Sequence, residues 1–394
     1  MSQPFKISLD ELKRLDRERH GNNDPDRSII INFIDGPFVE ITEPTERNYK
    51  IEFINQKNNK VEFETTLKSN HWARCSIQYF VDWLVRINGI DNDLYYEHFY
   101  NAQNKRVLIS FESKSLGDTL AFIPYVEKFQ LKTKCEIICS TFLNSLFKDQ
   151  YPEIYFVEPG TTAHNIYAMY RIGFFYKEIK SEGIDFFHHP QDPRTISLLQ
   201  VSSDIFGLRY EEVRPNLPKL GLQKKKQVCI ANHSTSQAKF WNHPTGWQEV
   251  VDFLRSQNYE VISLSQEEDG YMGNWNPKNI TQHPKGDLLN VIQVLQESEF
   301  FIGLSSGLSW LAWACNVPTI LISGFTDEFV EPRKNVYRII NKNVCNSCWT
   351  DQIFGFDDWH WCPHLKGTER QFECTKSIQG SEVIQVIKDH FLPK

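Results

Sequence analysis

Apolar positions along this chain fall into two regimes. Before about residue 105 they come in short runs, over 28–34, 38–41, 49–53 and 61–66. Turn-like breaks at Asp35-Gly36-Pro37 and over 55–59 separate those runs. Short β-rich runs at this spacing predict a small all-β domain built as a partial barrel. It carries no chemical motif and reads as a module for assembly or acceptor docking. After it the pattern changes to alternating strands and helices. A buried-type strand over 106–111 runs through Gly117-Asp118-Thr119 into an apolar helical stretch over 120–129. Strands follow over 135–139 and 154–157, a helix over 161–182 and a strand end over 185–189. Pro190, Pro193, Pro215 and Pro218 punctuate the connection that comes next.

A second unit of the same kind begins after Lys224-Lys225-Lys226. The expected order is strand 227–232, polar loop 233–241, helix 247–257, strand 259–264, helix 288–296, strand 300–304, helix 308–314 and strand 318–322. This alternation predicts an α/β fold with parallel sheets, right-handed crossovers and ligands at the carboxyl ends of the strands. The expected division is a β-rich segment over 1–104, a Rossmann-like domain over 105–223 and a second one over 224–394.

Composition narrows the functional classes. Of 394 residues, 40% are apolar and 24% charged, as in an ordinary folded protein long enough for two or three domains. The net charge of -7 argues against a duplex-binding protein, which needs a basic excess to neutralise phosphates. The lysine run therefore reads as a solvated linker. No run approaches the roughly 20 apolar residues of a membrane span, and residues 1–16 lack the apolar core of a secretory signal, so a cytoplasmic protein is expected. Nine cysteines, an odd count, argue against a disulfide framework. Cys75, Cys135, Cys139, Cys229 and Cys315 sit in apolar surroundings and read as buried packing groups.

Four segments carry candidate chemistry. In Ser115-Leu116-Gly117-Asp118-Thr119 a glycine turn follows a strand and opens a helix, which would place Asp118 either as a general base in a cleft or as a helix cap. The segment Ser234 to Trp241 offers hydroxyls, including Thr235, and Lys239; these suit a diphosphate, or merely a polar surface loop. The Ser305-Ser306-Gly307 turn with Ser309 ends one strand and starts a helix, either as an anion site or as an ordinary capped helix. It is not a dinucleotide or P-loop fingerprint. The fourth is Cys345, Cys348, Cys362 and Cys374, four cysteines within thirty residues in the order C-x2-C-x13-C-x11-C. Such a set reads as an all-thiolate structural metal site, a finger over 343–376, with zinc and iron both suited and with His360 and His364 as alternative ligands.

The order Gly117-Asp118-Thr119, then Lys239-Phe240-Trp241, then Ser306-Gly307 and the Gly324-Phe325-Thr326 turn resembles the heptosyltransferase superfamily of the GT-B fold over about 105–340. With the β-rich start and the cysteine spacing added, the whole chain is similar to the bacterial autotransporter heptosyltransferases. That resemblance implies two Rossmann-like domains and transfer of heptose from ADP-heptose to serines of an autotransporter adhesin. It further implies iron on the four cysteines and a dodecameric ring. Residue by residue it implies Asp118 as base, Lys239 on the donor phosphates and Ser306, Gly307 and Ser309 in the donor loop. The lipopolysaccharide enzymes usually carry an Asp-Thr-Gly loop where this chain has Ser305-Ser306-Gly307. A lipid-linked sugar acceptor and a non-catalytic metal-finger binding protein are the rival readings.

Overall fold

The computed structural model describes residues 28–90, 94–175, 185–351 and 362–392. The early segment forms two antiparallel sheets. Strands β1 (Ser28–Asn32), β2 (Phe38–Thr42) and β5 (His71–Arg74) pair in the order β1-β2-β5. Strands β3 (Asn48–Asn55), β4 (Lys60–Lys68), β6 (Trp83–Gly89) and β7 (Leu94–Phe99) pair in the order β4-β3-β6-β7. All four expected runs are strands, but the sheets stay open and do not close into a barrel. The chain leaving β1 turns instead to the neighbouring parallel sheet: the Phe33 amide donates to the Tyr167 carbonyl at 2.8 Å, and the Phe33 carbonyl accepts from the Met169 amide at 3.1 Å. One continuous apolar core joins the two regions, from Ile29 and Ile51 through Val107 and Phe122 to Trp310.

The first parallel sheet contains β8 (Arg106–Phe111), β9 (Glu136–Ser140), β10 (Ile154–Val157) and β11 (Ile166–Ile172), in the order β10-β9-β8-β11. The helix expected over 161–182 is thus corrected over 161–175, where its centre is β11, paired parallel to β8; residues 176–182 lie outside the described residues. Ile166, Tyr167, Ala168, Tyr170 and Ile172 are all buried. A strand covered on both faces shows no polar alternation, so its sequence mimics a buried helix. The strand end expected over 185–189 is a turn, closed by the Asp185 carboxylate accepting from the Phe187 amide at 2.8 Å.

The second parallel sheet has six strands, β12 (Gln227–Ile230), β13 (Glu260–Ser263), β14 (Thr281–Gln282), β15 (Phe300–Leu304), β16 (Thr319–Ile322) and β17 (Val336–Ile339). Their order is β14-β13-β12-β15-β16-β17. The two parallel sheets with their crossover helices are the expected α/β architecture. The longer helices are α1 (Leu116–Thr133), α2 (Leu198–Ile205), α3 (Gly246–Ser256), α4 (Leu288–Glu297), α5 (Gly307–Ala314) and α6 (Gly380–His390). Their starts follow from local capping. Ser115 caps α1, Ser197 caps α2 and Asp287 caps α4, each accepting a first-turn amide. Helix α1 is buried along most of its inner length, from Gly117 through Val126, because it lies between the first sheet, α2 and α5.

Candidate active site

Helix α1 leaves the carboxyl end of β8, and α5 leaves the carboxyl end of β15. Their first turns touch across the two halves. A Cβ on Gly117 would lie 2.9 Å from the Trp310 ring of α5, and a Cβ on Gly307 would lie 3.0 Å from the Leu116 Cβ. A side chain at Gly117 would collide with the Trp310 ring, and one at Gly307 would press on the Leu116 side chain, so both positions favour glycine. Two helix N-termini therefore converge, and their free amides favour negative charge between them.

Asp118 sits in the first turn of α1, half-buried. The Ser113 hydroxyl donates to its Oδ2 at 2.6 Å, and its own amide donates to the Ser115 hydroxyl at 3.4 Å. Burial raises its carboxyl above the usual carboxylate range, while the Ser113 hydrogen bond, the Lys239 charge and Ser115 pull the other way. Lys239 ends the short turn Gln237–Lys239 after β12, with its Nζ over the Phe325 ring at 5.5 Å from the centroid. Burial lowers its ammonium pKa, against the charges of Asp118 and Glu331. The two groups thus face each other from opposite halves. Each is driven toward its neutral form because desolvation outweighs their mutual attraction.

The other expected residues divide by where their polar atoms go. Ser306 caps α5 in position only, since its hydroxyl does not bond the helix. That hydroxyl is buried without a hydrogen-bond partner among the described residues, as are Ser234 Oγ and His233 Nδ1 on the β12 loop. Thr235 is exposed on that same loop. Three hydroxyls turn into the protein. Thr119 donates to the Ser115 carbonyl at 2.9 Å, and Ser309 donates to the Leu304 carbonyl. Ser305 bonds Thr326 Oγ1 at 2.6 Å and Ser323 Oγ at 3.2 Å. The motifs therefore contain both groups with unpartnered polar atoms among the described residues and groups that hold the loops.

The sequence reading missed the frame behind Ser305. Thr326 donates to Glu331 Oε2 at 2.8 Å, and Glu331 forms a buried ion pair with Arg338 at 2.5 Å. This network fixes the Ser323–Thr326 turn against the Ser305–Gly307 turn. Ser113 was missed too, although a serine two residues before a capping serine is a signal for a turn that orients the helix start beyond it.

Cys345, Cys348 and Cys374 are half-buried, Cys362 is buried, and all four are free thiols. Burial, then the neighbouring Cys345, Cys374 and Cys362, push the Cys348 thiol up. Burial, then Cys362 and Cys345, push Cys374 up to about 11. Among the described residues no three His, Cys, Asp or Glu side chains converge into a metal-holding group. His364 is engaged with Asp351 at 2.7 Å, and His360 lies outside the described residues. The cysteine segment is anchored on the same turn that borders Lys239. The Ser347 amide donates to the Gly324 carbonyl at 2.7 Å, and the Trp349 amide to the Phe325 carbonyl at 2.9 Å. A Cβ on Gly324 would fall 2.8 Å from the Cys374 sulfur.

This layout is matched by known proteins. Residues 198–352 fit the glycosyltransferase family 9 (heptosyltransferase) family model. The autotransporter heptosyltransferase BAHTCr of Citrobacter rodentium is 36% identical over 390 residues, spanning 94% of this chain and 90% of that one. The crystal structure of TibC from enterotoxigenic Escherichia coli, an iron-containing dodecameric glycosyltransferase, superposes with a TM-score of 0.82 at 32% identity. It covers 92% of this chain and 95% of TibC. A second TibC structure, in complex with ADP-D-β-D-heptose, superposes with a TM-score of 0.81. The inactive autotransporter heptosyltransferase BimC of Burkholderia thailandensis is 30% identical, spanning 79% of this chain and 74% of that one. The chain belongs to the autotransporter heptosyltransferase family.

Proposed function

We propose that the chain is an active protein O-heptosyltransferase. It transfers heptose from ADP-heptose to serine hydroxyls of an autotransporter adhesin passenger by a single displacement. Because one relative is inactive, family membership alone does not carry this reading. The observation that carries it is the opposition of Asp118 and Lys239 beside two converging helix N-termini. The halves over 105–223 and 224–394 act as the acceptor side and the nucleotide-sugar side of a GT-B enzyme. Asp118 takes the proton of the acceptor serine as its oxygen bonds to the anomeric carbon. The bond from that carbon to the diphosphate oxygen breaks, and ADP leaves with inversion. Lys239 and the amides of Ser306 and Gly307 stabilise the charge that develops on the departing diphosphate. Thr235 contacts the donor from the rim of the same loop. Gly117, Thr119, Ser305 and Ser309 shape the two loops and touch the donor through the backbone at most.

Mass spectrometry of a passenger fragment incubated with the protein and ADP-heptose tests the reading. A serine-linked heptose increment is expected. Label appearing in lipid-linked sugar and not in protein, or ADP bound without any transfer, would overturn it.

Cys345, Cys348, Cys362 and Cys374 are the residues that would hold iron, as TibC is iron-containing. Four thiols suit iron in donor chemistry, and zinc as well, and holding the ion would require them to draw together, since among the described residues they do not converge into a metal-holding group. Bound there, the ion supplies a cross-link that folds the segment, not a reaction step. The anchoring on Gly324 and Phe325 makes the consequence specific. Cys348→Ser should lower metal content and loosen the turn beside Lys239, weakening ADP binding as well as stability. Elemental analysis with an ADP titration checks this, and full metal content in the variant would remove Cys348 from the ligand set. By the same likeness to TibC the protein assembles as a homo-oligomer, a dodecameric ring. Among the described residues no helix is long and apolar enough to cross a membrane.

A further inference from the structure

Aromatic contacts lead from Lys239 out of its own half of the chain. The Phe325 ring under the ammonium meets Trp349, with ring centroids 5.8 Å apart and planes at 59°. Trp349, the residue after Cys348, also meets Phe174, with centroids 5.1 Å apart and planes at 37°. Phe174 belongs to the first half, just beyond the end of β11 at Ile172. Four groups thus run from the first parallel sheet to the ammonium: Phe174, Trp349, Phe325 and Lys239. A second contact runs beside them, because the turn Cys348–Thr350 packs on the turn Pro193–Thr195 of the first half. Trp349 also packs against an apolar cluster that contains Ala238, the residue before Lys239. Both anchors in the first half are tied. The Phe175 amide donates to His189 Nε2 at 3.1 Å, beside Phe174. The Asp192 carboxylate accepts from the Arg194 amide at 2.9 Å and from its guanidinium at 2.7 Å, which closes the Pro193–Thr195 turn.

We propose that Trp349 is a positioning residue, which braces the Phe325 turn against Phe174 and thereby sets Lys239 opposite Asp118. The inference rests on the proposed function for the role of Lys239 on the donor diphosphate. Asp118 and Lys239 stand on different halves, so a contact that fixed the lysine only within its own half would leave the gap between them free to vary. Phe174 is the right reference point for that gap. It follows β11, which pairs with β8, and β8 leads into the turn that carries Asp118. The rings matter as rings. An ammonium over an aromatic face is held by the ring quadrupole, so its position follows the tilt of Phe325. Aromatic pairs prefer particular tilts, which an aliphatic side chain of similar bulk does not impose. The cysteine segment thus acts on the cleft through the residue that follows Cys348, and Trp349 does so without touching substrate.

The test titrates the full-length protein with ADP. Trp349→Leu and Phe174→Leu each keep apolar bulk and remove a ring. Each should weaken ADP about five- to tenfold, the scale of one aromatic pair, and Phe174→Leu should do so from the half that does not carry Lys239. Trp349→Phe should recover most of the affinity. In a Lys239→Ala background neither leucine variant should weaken ADP further, because the group they position is gone. Equal weakening in both backgrounds overturns the proposal, since the rings would then act on ADP without the lysine. Unchanged ADP affinity in Phe174→Leu overturns it as well, by confining Trp349 to packing within its own half. Hydrogen–deuterium exchange of the unliganded proteins reads the brace without nucleotide. Phe174→Leu should speed exchange over 237–240 and 324–326, and exchange there as slow as in wild type overturns the proposal. Should Trp349→Leu fail to fold, Phe174→Leu carries both measurements. A wild type that binds ADP and transfers no heptose strikes the proposed function alone and leaves both readouts in force.

Discussion

Replacing Asp118 with Asn leaves ADP bound and lowers heptosyl transfer by about a hundred- to ten-thousand-fold, the usual worth of a positioned general base. The substitution is close to isosteric and keeps an acceptor for the Ser113 hydroxyl, so the first turn of α1 should persist. The loss should fall on kcat, with the Kd for ADP within a few-fold of wild type. The pH profile gives the sign of the effect. Burial raises the Asp118 carboxyl, so on the acid side the group is protonated and cannot take the serine proton. Activity should therefore fall with decreasing pH at a point above the ordinary carboxylate range, and recover as the group ionises. Ser113→Ala removes a hydrogen bond that favours the ionised form, so the inflection should move to higher pH while the alkaline plateau stays. A purified, folded Asp118→Asn protein with wild-type kcat would refute the assignment. One that has lost ADP binding would move Asp118 to the donor site.

Asp118 and Ser306 were legible because sequence and structure agree in the two strands that precede them. Strands β8 and β15 are rich in buried side chains, so they read as apolar runs. Each ends in a small-residue turn that opens a helix, which is where an α/β sheet presents ligands. Position along the chain thus placed both residues at strand-end turns, where ligands are expected. It could not say which hydroxyls the surrounding protein satisfies. Ser305, Ser306 and Ser309 are the same letter, yet only Ser306 has an unpartnered hydroxyl among the described residues, while Ser309 bonds a backbone carbonyl one turn away. The same limit hid β11, because Ile166-Tyr167-Ala168-Met169-Tyr170 carries no polar alternation once both faces are covered. The Glu331–Arg338 pair left no local trace, since its meaning depends on β17 lying beside β16.

Lys239→Ala should lower kcat/KM for ADP-heptose by about a hundred- to a thousand-fold, the scale of losing one fixed group that stabilises developing charge. Unlike Asp118→Asn, it should also weaken ADP itself, because the diphosphate meets the ammonium before and after the bond breaks. The variant has a second effect that a merely structural lysine would lack. The Lys239 charge lowers the Asp118 carboxyl, so its removal should raise that group further and move the acid limb of the pH profile upward. The electrostatic coupling across the cleft is then visible as two linked changes, in nucleotide affinity and in the pH at which activity falls. Lys239→Arg separates charge from shape. It restores the positive charge, but its planar group must fit beside Phe325 where an ammonium now sits. It should return the pH profile to near wild type while recovering only part of kcat/KM. Steady-state rates across pH, with ADP titrations of the three proteins, check all of this together. An unshifted pH profile in Lys239→Ala, with rates otherwise reduced, would mean that lysine and carboxylate act independently. The opposition of the two groups would then carry no weight in the mechanism, and the base would have to be tuned by burial and Ser113 alone.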